Sequence, residues 1–138
     1  MHTWEYDQSK YSPNMRILQV EDAPKITDVF SKILTMKKHA YSYEHDPELG
    51  IKKIQNENFD LIFLDLTMPK LSGFDILEDL KQKNFDTSKI IVITASTLSD
   101  KELDQLKGYN IHEIIFKPIS LQKLLSTVEN FSTKTILN

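Results

Sequence analysis

Glu21, Asp22, Asp65, Thr94 and Lys117 stand at the ends of four apolar runs, Met15 to Val20, Leu61 to Leu64, Ile90 to Ile93 and Ile114 to Phe116. Three carboxylates, a hydroxyl and an ammonium suit the handling of a phosphoryl group. Hard divalent cations bind carboxylate and carbonyl oxygens, and magnesium takes few protein oxygens while keeping several waters. Adjacent carboxylates repel one another unless something positive neutralises them. A bound Mg2+ together with Lys117 would cancel the three negative charges and leave the site ready for an anion. Asp65, at the apex, is a competent nucleophile toward phosphorus and would give an aspartyl phosphate. Phosphoryl transfer asks mainly for positioning and charge stabilisation, which the cation, the Lys117 ammonium and the Thr94 hydroxyl can supply.

Taken singly, each of these residues has a plainer account. Asp22 ahead of Pro24 suits a helix cap, Thr94 a β-branched strand residue, Lys117 a solvated loop charge and Asp65 the start of a turn. Their joint position at four strand ends is what the plainer account fails to produce.

The elements that would position them follow from hydrophobic period and punctuation. Met15 to Val20 reads as the first strand, and Ile26, Val29, Phe30, Ile33 and Leu34 as the inner face of the helix after it. His39 to Glu44 is the most polar strand candidate and suits a sheet edge. Asp46 before Pro47 opens a short helix with Ile51 and Ile54, ending near Asn58. Leu61 to Leu64 and Ile90 to Ile93 are apolar at every position, as strands covered on both faces are. Between them, Pro69 and Gly73 punctuate a loop, and Ser72 caps a helix with Ile76, Leu77 and Leu80 inward. Ser99 with Glu102 forms a capping box for a helix stopped around Gly108, Ile111 to Phe116 is the fifth strand, and Ser120 caps the last helix. Five strands alternating with five helices imply right-handed crossovers and a doubly wound parallel α/β sheet. With the polar second and fifth strands at the edges, the order is 2-1-3-4-5, whose crevice lies at the carboxyl ends of the first and third strands.

The chain has 138 residues, room for one domain with a real core, and 17 basic against 20 acidic residues offer no basic surface to nucleic acid or anionic lipid. Cysteine is absent, and no apolar run approaches the roughly 18 residues of a membrane span. A signal peptide's basic-then-apolar order is missing from MHTWEYDQSK, so a cytoplasmic protein is expected. Residues 1–14 read as an extension or linker, 15–131 as the domain and 132–138 as a tail too short for a further output unit.

At these residues the chain resembles the receiver domain of two-component response regulators. The resemblance covers about residues 15 to 131. It rests on the pair Glu21-Asp22, on DLIFLDLTMPKLSG with Met68-Pro69 and Gly73, on IIVITA ending in Thr94-Ala95, and on FKP with Lys117-Pro118. It implies a flavodoxin-like fold with Asp65 as phosphoacceptor from a histidine kinase or histidine phosphotransfer protein, and a downstream protein partner. It also implies Mg2+ held by Asp22, Asp65 and the Thr67 backbone carbonyl, with Glu21 acting directly or through water. Thr94 would be the switch hydroxyl, Lys117 the ammonium on the phosphoryl group, the bond to Pro118 cis, and Ala95 the small residue that leaves room. Thr67 and Ser96 resemble the variable positions that tune phosphoryl lifetime. On this account the domain is a signalling module, not a conventional enzyme, and touches neither nucleic acid nor membrane itself.

One position departs from the pattern. The family usually has Tyr or Phe three residues before the lysine, and this chain has Ile114. Two other readings follow: a receiver-like interaction module that no longer uses phosphate, and an aspartyl-phosphate phosphatase, which would want a second acid where Thr67 stands. His2, His39, His45 and His112 have no metal-ligand spacing and read as surface or strand residues.

Overall fold

A computed structural model describes residues 14–95 and 97–137, with side chains through Thr133. Residues 1–13 of the expected extension, and Ser96, lie outside the described residues. In chain order the elements are β1 (Arg16–Val20), α1 (Pro24–Met36), β2 (Ala40–Glu44), α2 (Pro47–Asn56), β3 (Leu61–Asp65), α3 (Gly73–Gln82), β4 (Ile90–Thr94), α4 (Asp100–Lys107), β5 (Glu113–Phe116) and α5 (Leu121–Leu137). All strand pairs are parallel and the order is β2-β1-β3-β4-β5, as the distribution of apolar runs requires. β3 and β4 are buried at every residue, which explains their lack of polar alternation.

The sheet separates two cores. On one face Ile54 of α2, Ile76, Leu77 and Leu80 of α3 and Leu106 of α4 pack against Leu18, Val20, Ile62, Leu64 and Val92. On the other, Phe30 and Leu34 of α1 and Leu124, Val128 and Phe131 of α5 cover Ile17, Phe63, Ile91 and Ile93. Phe30 meets Phe63 edge to face at 5.3 Å between ring centroids, a favoured aromatic geometry.

Helix starts follow their sequence signals. Ser72 and Asp75 form a reciprocal capping box, as do Ser99 and Glu102, while Asp46 Oδ1 and Ser120 Oγ accept from the backbone N–H groups of Glu48 and Lys123. Three details add to those signals. α5 runs on to Leu137 through the stretch read as a tail, because Ser132 to Leu137 contains neither Gly nor Pro and Ser132 is itself buried. Gly108 ends α4 with ordinary right-handed geometry, and the left-handed step falls to Asn110, as it does to Lys38 and Asn84 after other helices. A short 3-10 turn, Thr87–Lys89, precedes β4, and the Thr87 hydroxyl ties it to the Tyr109 carbonyl beyond α4.

Candidate functional site

The carboxyl ends of β1, β3, β4 and β5 bring the sequence-selected residues to one edge. Glu21 follows β1 directly, and its N–H donates to the Glu44 carbonyl at 3.0 Å, joining it to the end of β2. Its buried carboxylate accepts from the Ala23 N–H at 3.2 Å and meets Lys117 Nζ at 3.0 Å. Asp65, the last residue of β3, is also buried, accepts from the Thr67 N–H at 3.0 Å and lies 3.4 Å from the same Nζ. Glu21, Asp22 and Asp65 each offer a carboxylate oxygen, all within 4.8 Å of one another. Asp22 is partly exposed and caps nothing, since the N-cap of α1 is Ala23 and no side chain bonds there. The plainer account of Asp22 is thereby removed.

Lys117 is held from behind. Its N–H donates to the Thr94 carbonyl at 2.7 Å, and the peptide bond to Pro118 is cis, as the resemblance implied. Thr94 itself is buried, and its hydroxyl has no hydrogen-bond partner among the described residues. Such a group carries a desolvation cost that no described residue offsets. Ala95, next in line, is small and exposed. Gly73 braces the end of β3 from the α3 side: its N–H bonds the Leu66 carbonyl at 2.9 Å, and a Cβ there would come within 2.7 Å of Leu66 Cα and 2.8 Å of the Asp65 carbonyl oxygen.

Charge at this edge is unbalanced. Burial, reinforced by the neighbouring Asp65, pushes the Glu21 carboxyl above its usual range although Lys117 pulls the other way. Asp22 is also raised, by burial and then by Glu21. For Lys117 burial favours loss of the proton, but the hydrogen bond to Glu21 and the charges of Asp65 and Glu21 outweigh it and raise the ammonium's pKa. One ammonium among three carboxylates leaves a formal double negative charge. An all-oxygen donor set with one partly exposed member is suited to a hard divalent cation that retains water.

The remaining candidates separate. The Thr67 N–H is directed at Asp65 and its side chain is exposed, so the position that a phosphatase would give to an acid holds a solvent-facing threonine. Ile114 pairs in register with Val92 and packs into the core beneath α3 and α4. Phe116, which sequence reading passed over, is the residue in register with Thr94, on the same face of the sheet and 43% exposed. Only strand register reveals that neighbour. None of the described histidines lies in the acidic group: His39 Nδ1 accepts from the Met15 N–H at 3.0 Å, His45 bonds Thr27, and the His112 ring meets Phe131. No helix among the described residues is long and apolar enough to cross a membrane.

Residues 17–129 match the family model described as the response regulator receiver domain. The chain belongs to the response regulator receiver family. Receiver domains serve two-component signalling, and phosphorylation on an aspartate is typical of them. This receiver domain is 31% identical over 114 residues to the response regulator ArlR of Staphylococcus epidermidis, an alignment covering 81% of this chain and 50% of that protein. The chain spans about half the length of the curated relatives it matches. Among solved structures it is similar to a CheY-like receiver domain protein from Methanospirillum hungatei, with 25% identity, a TM-score of 0.79 and coverage of 90% and 98% of the two chains. It is also similar to the response regulator TrrA of Thermotoga maritima in complex with Mg2+ and BeF, with 27% identity, a TM-score of 0.70 and coverage of 84% and 97%.

Proposed function

We propose that Asp65 of this receiver accepts a phosphoryl group in the cytoplasm and that its phosphorylation changes the binding of a downstream protein partner. The donor is the phosphohistidine of a histidine kinase or a histidine phosphotransfer protein. An Asp65 carboxylate oxygen forms the new bond to phosphorus as the donor N–P bond breaks, and the electron pair returns to the donor imidazole, which takes up a proton. Glu21, Asp22 and Asp65, with the Thr67 backbone carbonyl, would hold Mg2+, which when bound supplies charge neutralisation for the phosphoryl oxygens.

The chain's own groups do the rest. Lys117 Nζ, already within 3.4 Å of Asp65, orients the carboxylate and meets the incoming negative charge. Thr94 brings a hydroxyl whose proton no described residue accepts, and Ala95 leaves space beside it. The chain assists its own phosphorylation and dephosphorylation and turns over no separate substrate.

The observation that supports this reading best is the Lys117 ammonium lying between two buried carboxylates that share a 4.8 Å cluster with Asp22. Incubation of the full chain with acetyl phosphate and Mg2+, read by intact-protein mass, is expected to add one phosphoryl group, and Asp65→Asn is expected to abolish the addition. Equal labelling of the variant would overturn the assignment of Asp65. Beryllofluoride with Mg2+ should bind the wild type and not the variant.

A further inference from the structure

β2 carries its rings on one face: Tyr41, Tyr43 and, one residue past its end, His45. Tyr41 packs into the core beneath α1 and α5. The ring centroids of Tyr41 and Tyr43 are 6.2 Å apart, and those of Tyr43 and His45, which stack, are 4.6 Å apart. None of these side chains has a part in the phosphoryl chemistry described above.

Two of them converge on Thr27, a buried residue in the first turn of α1. The Tyr41 hydroxyl lies 2.6 Å from Gln19 Oε1 and 3.3 Å from the Thr27 carbonyl oxygen, so two acceptors share its proton. Burial pushes the Tyr41 phenol well above its ordinary value, and the proton stays available to donate. Thr27 Oγ1 donates to the Pro24 carbonyl at 3.1 Å and lies 3.0 Å from His45 Nε2. A hydroxyl has one proton, and with it directed at Pro24 the imidazole must donate from Nε2. The first turn of α1, which lacks a capping side chain, is thereby fastened to β2 through both the backbone and the side chain of Thr27.

That fastening bears on the acidic edge because only Glu21, Asp22 and Ala23 separate β1 from α1. With so short a connection, the place of the first helical turn limits where the Asp22 carboxylate can stand. Resting on the cation reading given above, we infer that Thr27, held by Tyr41 and His45, is a positioning residue that sets the Glu21-Asp22 pair for Mg2+.

The test is a Mg2+ titration of the full chain followed by backbone amide NMR shifts, which read affinity from the folded molecules alone, with urea unfolding measured in parallel. Thr27→Val and His45→Ala are expected to weaken Mg2+ binding about three- to tenfold, less than the roughly 10–100-fold typical of groups that touch a metal ligand directly. Thr27→Ser keeps the hydroxyl and should stay within about twofold of wild type. A purely structural role would lower the unfolding midpoint and leave the affinity of the folded chain unchanged, and that result overturns the inference. His45 is partly exposed, so His45→Ala keeps the question open to test should Thr27→Val not fold. A wild-type chain without any Mg2+ response would instead overturn the cation reading itself.

Discussion

At the amino end of the sheet, the Arg16 guanidinium pairs with Glu57 at 2.6 Å, donates to the Asn58 carbonyl at 3.0 Å and lies over the Phe59 ring, while the Arg16 N–H bonds Asp60 at 2.7 Å. These polar groups are exposed and each has a partner. At the carboxyl end, Glu21, Asp65 and Thr94 are buried, one ammonium serves three carboxylates, and the Thr94 hydroxyl has no partner among the described residues. One sheet thus has an end whose polar groups are satisfied and an end whose polar groups are held short of satisfaction. Groups held short of satisfaction by a rigid scaffold are the ones with binding capacity left for a cation or an anion, at a cost in stability.

The strongest way to break this contrast is Lys117→Ala, which leaves Glu21 and Asp65 buried without a counter-charge. Unfolding in urea at neutral pH without metal should show a loss of about 2–4 kcal/mol, the lower part of that range if the partly exposed edge admits water. A loss like that of an ordinary surface residue would mean that the two ends are not different in kind. Because the Lys117 pKa is raised above 10.5, its contribution is complete at neutral pH and is lost only as pH rises through that higher value.

Proton linkage sharpens the comparison next. The folded-state pKa values of Glu21 and Asp22 lie above 4.5 and 3.8, so the folded chain holds these protons more tightly than the unfolded one. Their contribution to metal-free stability should therefore fall as pH rises from those values through the raised ones, and Mg2+ affinity should climb over the same interval as protons cease to compete. Glu21→Gln is expected to flatten most of that stability slope, as measured by thermal unfolding across the acid range.

Smaller effects complete the series. Thr94→Val replaces a buried hydroxyl, unpartnered among the described residues, with a methyl group and should stabilise the metal-free chain by about 0.5–1.5 kcal/mol while slowing phosphorylation by acetyl phosphate. Arg16→Ala, at the satisfied end, should cost less than about 1 kcal/mol and leave Mg2+ affinity untouched.

The placement of the edge residues was legible because strand ends are written in sequence as abrupt changes from apolar to polar, and in a parallel sheet those changes share one side. β3 and β4 declared themselves by unbroken apolar runs, and Ser99 by the acid three residues on, whereas the matching Ser72-Asp75 box was seen only in the structure. What depends on register or on side chains from separate elements was not legible. Phe116 becomes a neighbour of Thr94 only when β4 and β5 are paired, and Gln19, Tyr41, Thr27 and His45 meet only because β2 lies beside β1 under α1. The run of α5 past Phe131 was not legible because the apolar spacing weakens there, although no residue that stops a helix follows before Leu137. Gly108 stops α4 as read, and the left-handed step two residues on falls to Asn110, a role asparagine can fill because its short polar side chain tolerates that backbone.

Gly73 has a consequence for anyone mapping this protein by mutation. Replacement by alanine, the change usually chosen as silent, would press a methyl group into the backbone that carries Asp65. A scan of the acidic edge could therefore score its most damaging hit at a position with no side chain at all, and the lesion would be misread as chemistry when its origin is a clash with the main chain.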